Sequence, residues 1–302
     1  MSEDKTLFRG STGLNTVVDP VRAPFDPETG VSDLTVAVNV VVDRTGRVSR
    51  RDGFASIFSG ASHSLFCDGG ACLFVAGDEL CILEPDYVRT VIRTGMVDAR
   101  VDYAQVNDQT YYVNGSQLGV VFNGNDHVWA MTTTLPDTGN RTFIGPIAGE
   151  HIAFHLGRIF LSSGTAIVFS EPFAFSHYDL ARNIIPLESR VIMMKPVAQG
   201  LFISTEKATY FMSGLRPEEF ALLMVAPYPA IEWSVAIDLV DGLEIGLQEP
   251  GLCALWASSK GACLGTPTGQ FRNLTRDKVV YPDAGINGAG LLRGYNFIHT
   301  IF

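Results

Sequence analysis

Hydrophobic positions along this chain fall in short runs that reverse at a turn, with no stripe of helical period among them. Six such stretches recur: Val38 to Arg51 around Arg44-Thr45-Gly46, Ala71 to Leu83 around Gly77-Asp78, Thr110 to Phe122 around Asn114-Gly115, Arg158 to Phe169 around Ser163-Gly164, Gly200 to Met212 around Thr205-Glu206-Lys207, and Leu252 to Leu264 around Ser258-Ser259-Lys260-Gly261. Each reads as a β-hairpin, strand-forming flanks around residues that suit a turn. Centred on Thr45, Gly77, Gly115, Gly164, Glu206 and Lys260, they lie 32, 38, 49, 42 and 54 residues apart. An irregular recurrence of that size is what radially arranged blades leave in a sequence. The pattern therefore predicts an all-β chain, a β-propeller of about six blades forming a single domain over residues 33–302, preceded by an extended N-terminal arm over residues 1–32.

The arm rests on Pro20, Pro24 and Pro27 within Leu14 to Ser32, which disfavour regular pairing. Such a segment is either an ordered arm that ties a subunit to its neighbour or a flexible leader, and on the first reading Asp19 and these three prolines are candidate interface residues. At the other end, Tyr295 to Phe302 is strand-like to its last residue. In a closed ring one terminal strand often completes the blade begun by the other.

Composition agrees with this class. Thirty Gly, fifteen Pro and 18% charged residues suit many short buried strands joined by tight turns, and 46% hydrophobic content is ample for a core. No run of apolar residues is long enough to span a membrane, and Met1 to Lys5 does not open a signal peptide, so synthesis in a cytoplasm is expected. A net charge of −10 argues against a nucleic-acid-binding face. It is compatible with lining a passage that DNA crosses without sticking. Arg44, Arg47, Arg50 and Arg51 gather in the first hairpin and read as a solvated or interface face.

Candidate chemistry is sparse. Cys67, Cys72, Cys81, Cys253 and Cys263 lack zinc-site spacing. With Gly77-Asp78 as a two-residue loop, Phe74 stands opposite Cys81 and Cys72 lies diagonal to Cys81. A bridge between them is conceivable, and buried free thiols are the expectation. His151 and His155 follow Glu150, whereas a zinc-protease helix needs Glu directly after the first His, so metal ligation is not expected. The sialidase box, the nucleophile elbow and the phosphate-cradling loop are absent, and Asp68, Asp78, Asp108, Asp126, Asp238 and Asp241 mostly adjoin turn residues. No catalytic, metal or cofactor-binding residue is predicted. Tyr87, Trp129, Phe173, Phe175, Tyr178, Tyr228 and Trp233 lie in or near loops, where they would serve either packing between blades or recognition of a glycan.

Several stretches carry a resemblance. Gly13 to Pro20, Ala37 to Asp43 and Gly46 to Phe54 resemble the start of β-propeller virion proteins of tailed bacteriophages. Leu156 to Phe160 leading to Phe169-Ser170-Glu171-Pro172, and Gly200 to Thr205 leading to Thr209 to Gly214, are similar in order and spacing to that group. Trp256 to Gly261 and Gly269 to Thr275 look like its last full blade. The group includes the tail nozzle and packaged-DNA-stabilisation proteins of short-tailed phages. The chain is shorter than typical nozzle proteins and lacks their large insertions, which leaves its position along a tail and any gating of DNA open; Asp52, where Pro is common after the paired arginines, is a change that matters little in a turn. The resemblance implies a non-enzymatic virion component in the tail, forming a homo-oligomeric ring with other virion tail proteins around the DNA path and needing no cofactor. The alternative is a host-receptor or glycan-binding propeller of the tail tip or baseplate.

Overall fold

The computed structural model describes residues 9–43, 45–51, 53, 55–68, 71–135, 139, 141–240, 251–276, 278–279, 290–293 and 298–301. Two single turns of 3-10 helix, Pro20–Arg22 and Pro217–Glu219, are the only helical elements among them. The rest of the regular structure is strand.

Strands β1 (Gly10–Leu14), β2 (Phe25–Asp26) and β3 (Val31–Leu34) form a small sheet in the order β1-β3-β2. The hairpin of β4 (Val40–Val42) and β5 (Val48–Arg50) follows. Next come five antiparallel meanders of four strands each. The first holds β6 (Ser62–Asp68), β7 (Ala71–Ala76), β8 (Glu79–Leu83) and β9 (Arg89–Thr94). The second holds β10 (Asp102–Val106), β11 (Gln109–Val113), β12 (Leu118–Phe122) and β13 (Asn125–His127). The third holds β14 (Ile152–His155), β15 (Arg158–Ser163), β16 (Ala166–Glu171) and β17 (Ala174–Tyr178), with β18 (Ile184–Pro186) also paired to β16. The fourth runs through β19 (Val191–Val197), β20 (Gly200–Thr205), β21 (Thr209–Ser213) and β22 (Ala221–Ala226), the fifth through β23 (Ala236–Val240), β24 (Gly251–Ser258), β25 (Gly261–Gly265) and β26 (Phe271–Asn273). A hairpin of β27 (Gly290–Arg293) and β28 (Ile298–Ile301) ends the described chain.

All six predicted hairpins are present, as β4–β5, β7–β8, β11–β12, β15–β16, β20–β21 and β24–β25. The last five are the middle pairs of the five meanders, whereas β4–β5 pairs with no further strand among the described residues, which hold five meanders of four strands. The Asn114-Gly115 turn is also wider than a two-residue loop. Val113 pairs with Leu118, and the Asn114 side-chain oxygen accepts from the backbone N–H of Ser116 and Gln117, while Gly115 takes φ +85°.

The sheets stack face to face, which explains why their strands read as continuous apolar runs. In β15, Ile159 and Leu161 pack with Tyr111 and Val113 of the second sheet, whereas Phe160 between them packs with Val191, Leu201 and Ile203 of the fourth. In β20, Leu201 and Ile203 face the third sheet, and Phe202 faces Ala254 and Trp256 of the fifth. Alternate side chains thus enter different inter-sheet cores, and neither face is left to water. Burying each such side chain contributes roughly 1.5–3 kcal/mol. Successive meanders sharing cores on both faces, with β10, β14 and β19 packed against one another along their inner edges, make this a β-propeller.

Of the residues expected to form an extended arm, 1–8 lie outside the described residues, and the stretch from Gly10 onward folds back into the β1-β3-β2 sheet. Its prolines punctuate the turns. Pro20 opens the 3-10 turn capped by the Asp19 carboxylate, where its missing N–H costs nothing, and the Pro24 carbonyl accepts from Asp33. This sheet is fastened to the stretch after the fifth blade: Thr16 N–H donates to the Lys278 carbonyl at 2.7 Å, and Lys278 Nζ lies 3.1 Å from Asp33 Oδ1. The N-terminal sheet and the residues just after the fifth meander therefore meet at Lys278.

The cysteine expectation needs one correction. Phe74 does stand opposite Cys81, but the sulfur of Cys72 bonds to Cys67, its direct partner across β6 and β7. Opposed residues on paired strands bring Cα atoms closer than diagonal ones, here 4.1 Å. Cys81, Cys253 and Cys263 are buried and outside this disulfide.

Candidate functional site

A charged network joins four of the five blades along their inner edges. Asp102 begins β10, His151 directly precedes β14, Arg190 precedes β19, Lys195 lies within β19, and Glu232 leads toward β23. Lys195 Nζ donates to Asp102 Oδ1 at 2.6 Å. The other Asp102 oxygen lies 3.4 Å from His151 Nδ1 and accepts from the Ile152 N–H at 3.2 Å. His151 Nε2 stands 3.5 Å from Glu232 Oε1, and the Trp233 ring packs on the imidazole with centroids 4.5 Å apart. Arg190 grips Glu232 through both terminal nitrogens at 2.9 to 3.1 Å, with Glu150 3.4 Å away. Asp102 and Lys195 belong to the second and fourth blades, so their direct contact places them where the blades converge.

Electrostatics follow from burial. Removing Asp102 from water would raise its carboxyl, but Lys195 and His151 outweigh that and hold it at about 2. Burial opposes a charge on His151, yet hydrogen bonding to Asp102 and Glu232 raises its imidazole above the ordinary value. Beside Trp233 the network meets a depression of about 290 Å³ walled in part by Asn114, Glu150, Arg190 and Glu232. Chemically this is a set of mutually paired charges that tie blades together. Among the described residues no three His, Cys, Asp or Glu side chains are grouped to hold a metal ion.

The sequence reading missed this network. No two of its blades contribute neighbouring residues, so no local motif exists. The available signal was a charged residue at or just before the first apolar strand of each repeat: Asp102, Glu150-His151, Arg190 and Glu232. His155 at the far end of β14 is buried opposite Arg158, and burial pushes its imidazole below the ordinary value.

The candidate interface residues lie elsewhere. Asp19, Pro20, Pro24 and Pro27 are exposed on the N-terminal sheet and its turns, and Arg47 and Arg50 are exposed on the β4–β5 hairpin. The Arg51 side chain is half-buried and reaches Asn39 Oδ1 at 3.4 Å. Arg44 lies outside the described residues. The Ser11 N–H donates to the Gly46 carbonyl at 2.7 Å, so the sheet and the basic hairpin form one unit. Of the loop aromatics, Trp129 and Tyr178 are buried between blades two and three, while Tyr87 and Phe173 are exposed. Phe173 edges a second depression of about 400 Å³ lined also by Tyr111, Trp129 and Phe175.

No family model matches the chain. No curated protein is similar to it in sequence. Among solved structures it is similar to the extracellular domain of the hybrid two-component system BT4673 from B. thetaiotaomicron, at 12% identity over 72% of this chain, with a TM-score of 0.44; the chain spans 27% of that structure's length. It is also similar to a gluconolactonase from Xanthomonas campestris, at 8% identity over 76% of this chain and 81% of that one, TM-score 0.47. A third is the Pan2 WD40 domain of Neurospora crassa, at 10% identity over 68% and 63%, TM-score 0.43.

Proposed function

We propose that this chain is a non-catalytic structural subunit of a tailed-bacteriophage virion, a tail propeller of the nozzle, hub or head-to-tail region that assembles by protein contacts around the DNA path. The observation that carries the reading is the surface of residues 17–38. Val17, Val21, Phe25, Val36 and Val38 are all exposed there, beside the exposed Arg47 and Arg50. Apolar side chains left uncovered next to a basic hairpin favour a surface buried by a partner. The resemblance to phage virion propellers starts in the same segment. A non-catalytic role is favoured by Asp102, whose two oxygens are already engaged by Lys195, His151 and backbone N–H groups. A general base needs a free lone pair within reach of substrate.

The test is composition and imaging of purified particles. The reading expects the chain in washed particles, in density on the tail axis. Particles of normal composition that lack it would overturn the proposal. A second reading, contact with a host glycan or receptor, is favoured by Phe173, 82% exposed at the edge of the aromatic depression. Peripheral density and saturable binding on a glycan panel would select that reading.

A further inference from the structure

One outer strand is built unlike the others. The outermost strands normally carry devices that prevent pairing with another chain: charge, brevity, proline or a cover. β9 has Arg89 and Arg93, β13 and β26 are three residues long with Asp126 and Arg272, and β18 is three residues ending in Pro186. The free edge of β17 is covered, because Tyr178 exchanges both backbone hydrogen bonds with Ile144 and the Phe175 carbonyl accepts from Trp129 Nε1. β22 has none of these four, its one irregularity being the bulge at Val225 near its end. It is six residues, Ala-Leu-Leu-Met-Val-Ala, without charge, and Leu222, Leu223 and Met224 are 37%, 66% and 52% exposed. Among the described residues its outer edge pairs with no strand.

The turn that leads into β22 is acidic: Glu218 and Glu219 are exposed there, with Arg216 beside them and Arg158 within electrostatic reach of Glu218. The opposite arrangement occurs at residues 35–50. Val36 and Val38, 75% and 72% exposed, stand in an uncharged run outside any strand, and the hairpin that follows presents Arg47 and Arg50. One chain thus carries an apolar edge beside acid and an apolar segment beside base. Such a pair suits a head-to-tail contact between identical subunits.

We propose that β22 and the turn before it receive residues 35–50 of a second copy. Val36 and Val38 of that copy lie along β22 beside Leu222 and Met224, which share one face of the strand, the added backbone pairs with the open edge, and Arg47 and Arg50 face Glu218 and Glu219. Each copy offers both surfaces, so the contact propagates and closes into a ring when the rotation between copies divides a full turn. The inference rests on the self-assembly in the proposed function and not on virion location.

The test is light scattering of the full chain over a concentration series. Wild type is expected to associate. Glu218→Arg/Glu219→Arg and Arg47→Glu/Arg50→Glu are each expected to weaken association on the order of 10-fold or more. Mixing the two variants restores it, because every edge then meets a hairpin of opposite charge. Unchanged thermal midpoints confirm that both variants are folded. A monomeric wild type would overturn the inference by removing self-assembly altogether. Wild-type association that both variants retain would overturn the choice of surface and leave self-assembly standing.

Discussion

Lys195 and Asp102 are held 2.6 Å apart although a whole blade separates their sheets. A buried ion pair is a poor source of net stability, but removing one partner strands a charge in a dry site. Asp102→Ala is therefore expected to lower unfolding free energy by roughly 3–5 kcal/mol in urea titrations, whereas Asp102→Leu with Lys195→Met recovers most of the loss. A single-variant cost below about 1 kcal/mol would show the pair to be solvated.

The same network sets a pH window. Asp102, held at about 2 against an ordinary 3.8, contributes stability that is present above 3.8 and lost as pH falls toward 2. His151, raised above its ordinary 6.5, contributes stability that is full below 6.5 and lost as pH rises through its folded value. The thermal midpoint should therefore be highest on the mildly acidic side of neutrality. His151→Gln should flatten the decline above pH 6.5 while leaving the acid limb in place.

Thiol chemistry offers an independent check. Of five cysteines, Cys81, Cys253 and Cys263 lie outside the Cys67–Cys72 disulfide. In denaturant without reductant, an alkylating reagent should label three sites, and five after reduction. Labelling of all five without reductant in freshly purified protein would contradict the Cys67–Cys72 bond. Because that bond closes a short loop, Cys67→Ser with Cys72→Ser should cost about 2 kcal/mol.

The tie between the N-terminal sheet and Lys278 is accessible to proteolysis. Lys278 is 43% exposed, so its pairing with Asp33 is worth only about 0.5–1 kcal/mol. Lys278→Ala should speed tryptic cutting after Arg22 by roughly 2–5-fold, with little change in global unfolding. Equal cutting rates in both proteins would mean that the N-terminal sheet holds by other contacts.

The middle of each blade was legible in the sequence because its two strands are adjacent and joined by turn residues. The flanking strands were not. β13 and β26 have three residues each, too few to show alternation, and β10 and β14 pair with their neighbours at a register no local signal fixes. The N-terminal sheet was hidden because β1 and β3 are parallel and twenty residues apart, Ser11 facing Ser32, with the prolines between them mistaken for the marks of an extended run. The charged axis was invisible for a related reason: Asp102, His151, Lys195 and Glu232 share a location only after four blades have packed.

The contact of Lys278 with Asp33 spans 245 positions. Each meander can form from residues already beside one another as the chain leaves the ribosome, but this contact must wait until the fifth blade has emerged. The N-terminal sheet, synthesised before the blades, can therefore make this contact only after all five meanders are complete. During translation it stays available to any competing surface, so a slow pause late in synthesis would prolong that exposure more than one early in the message.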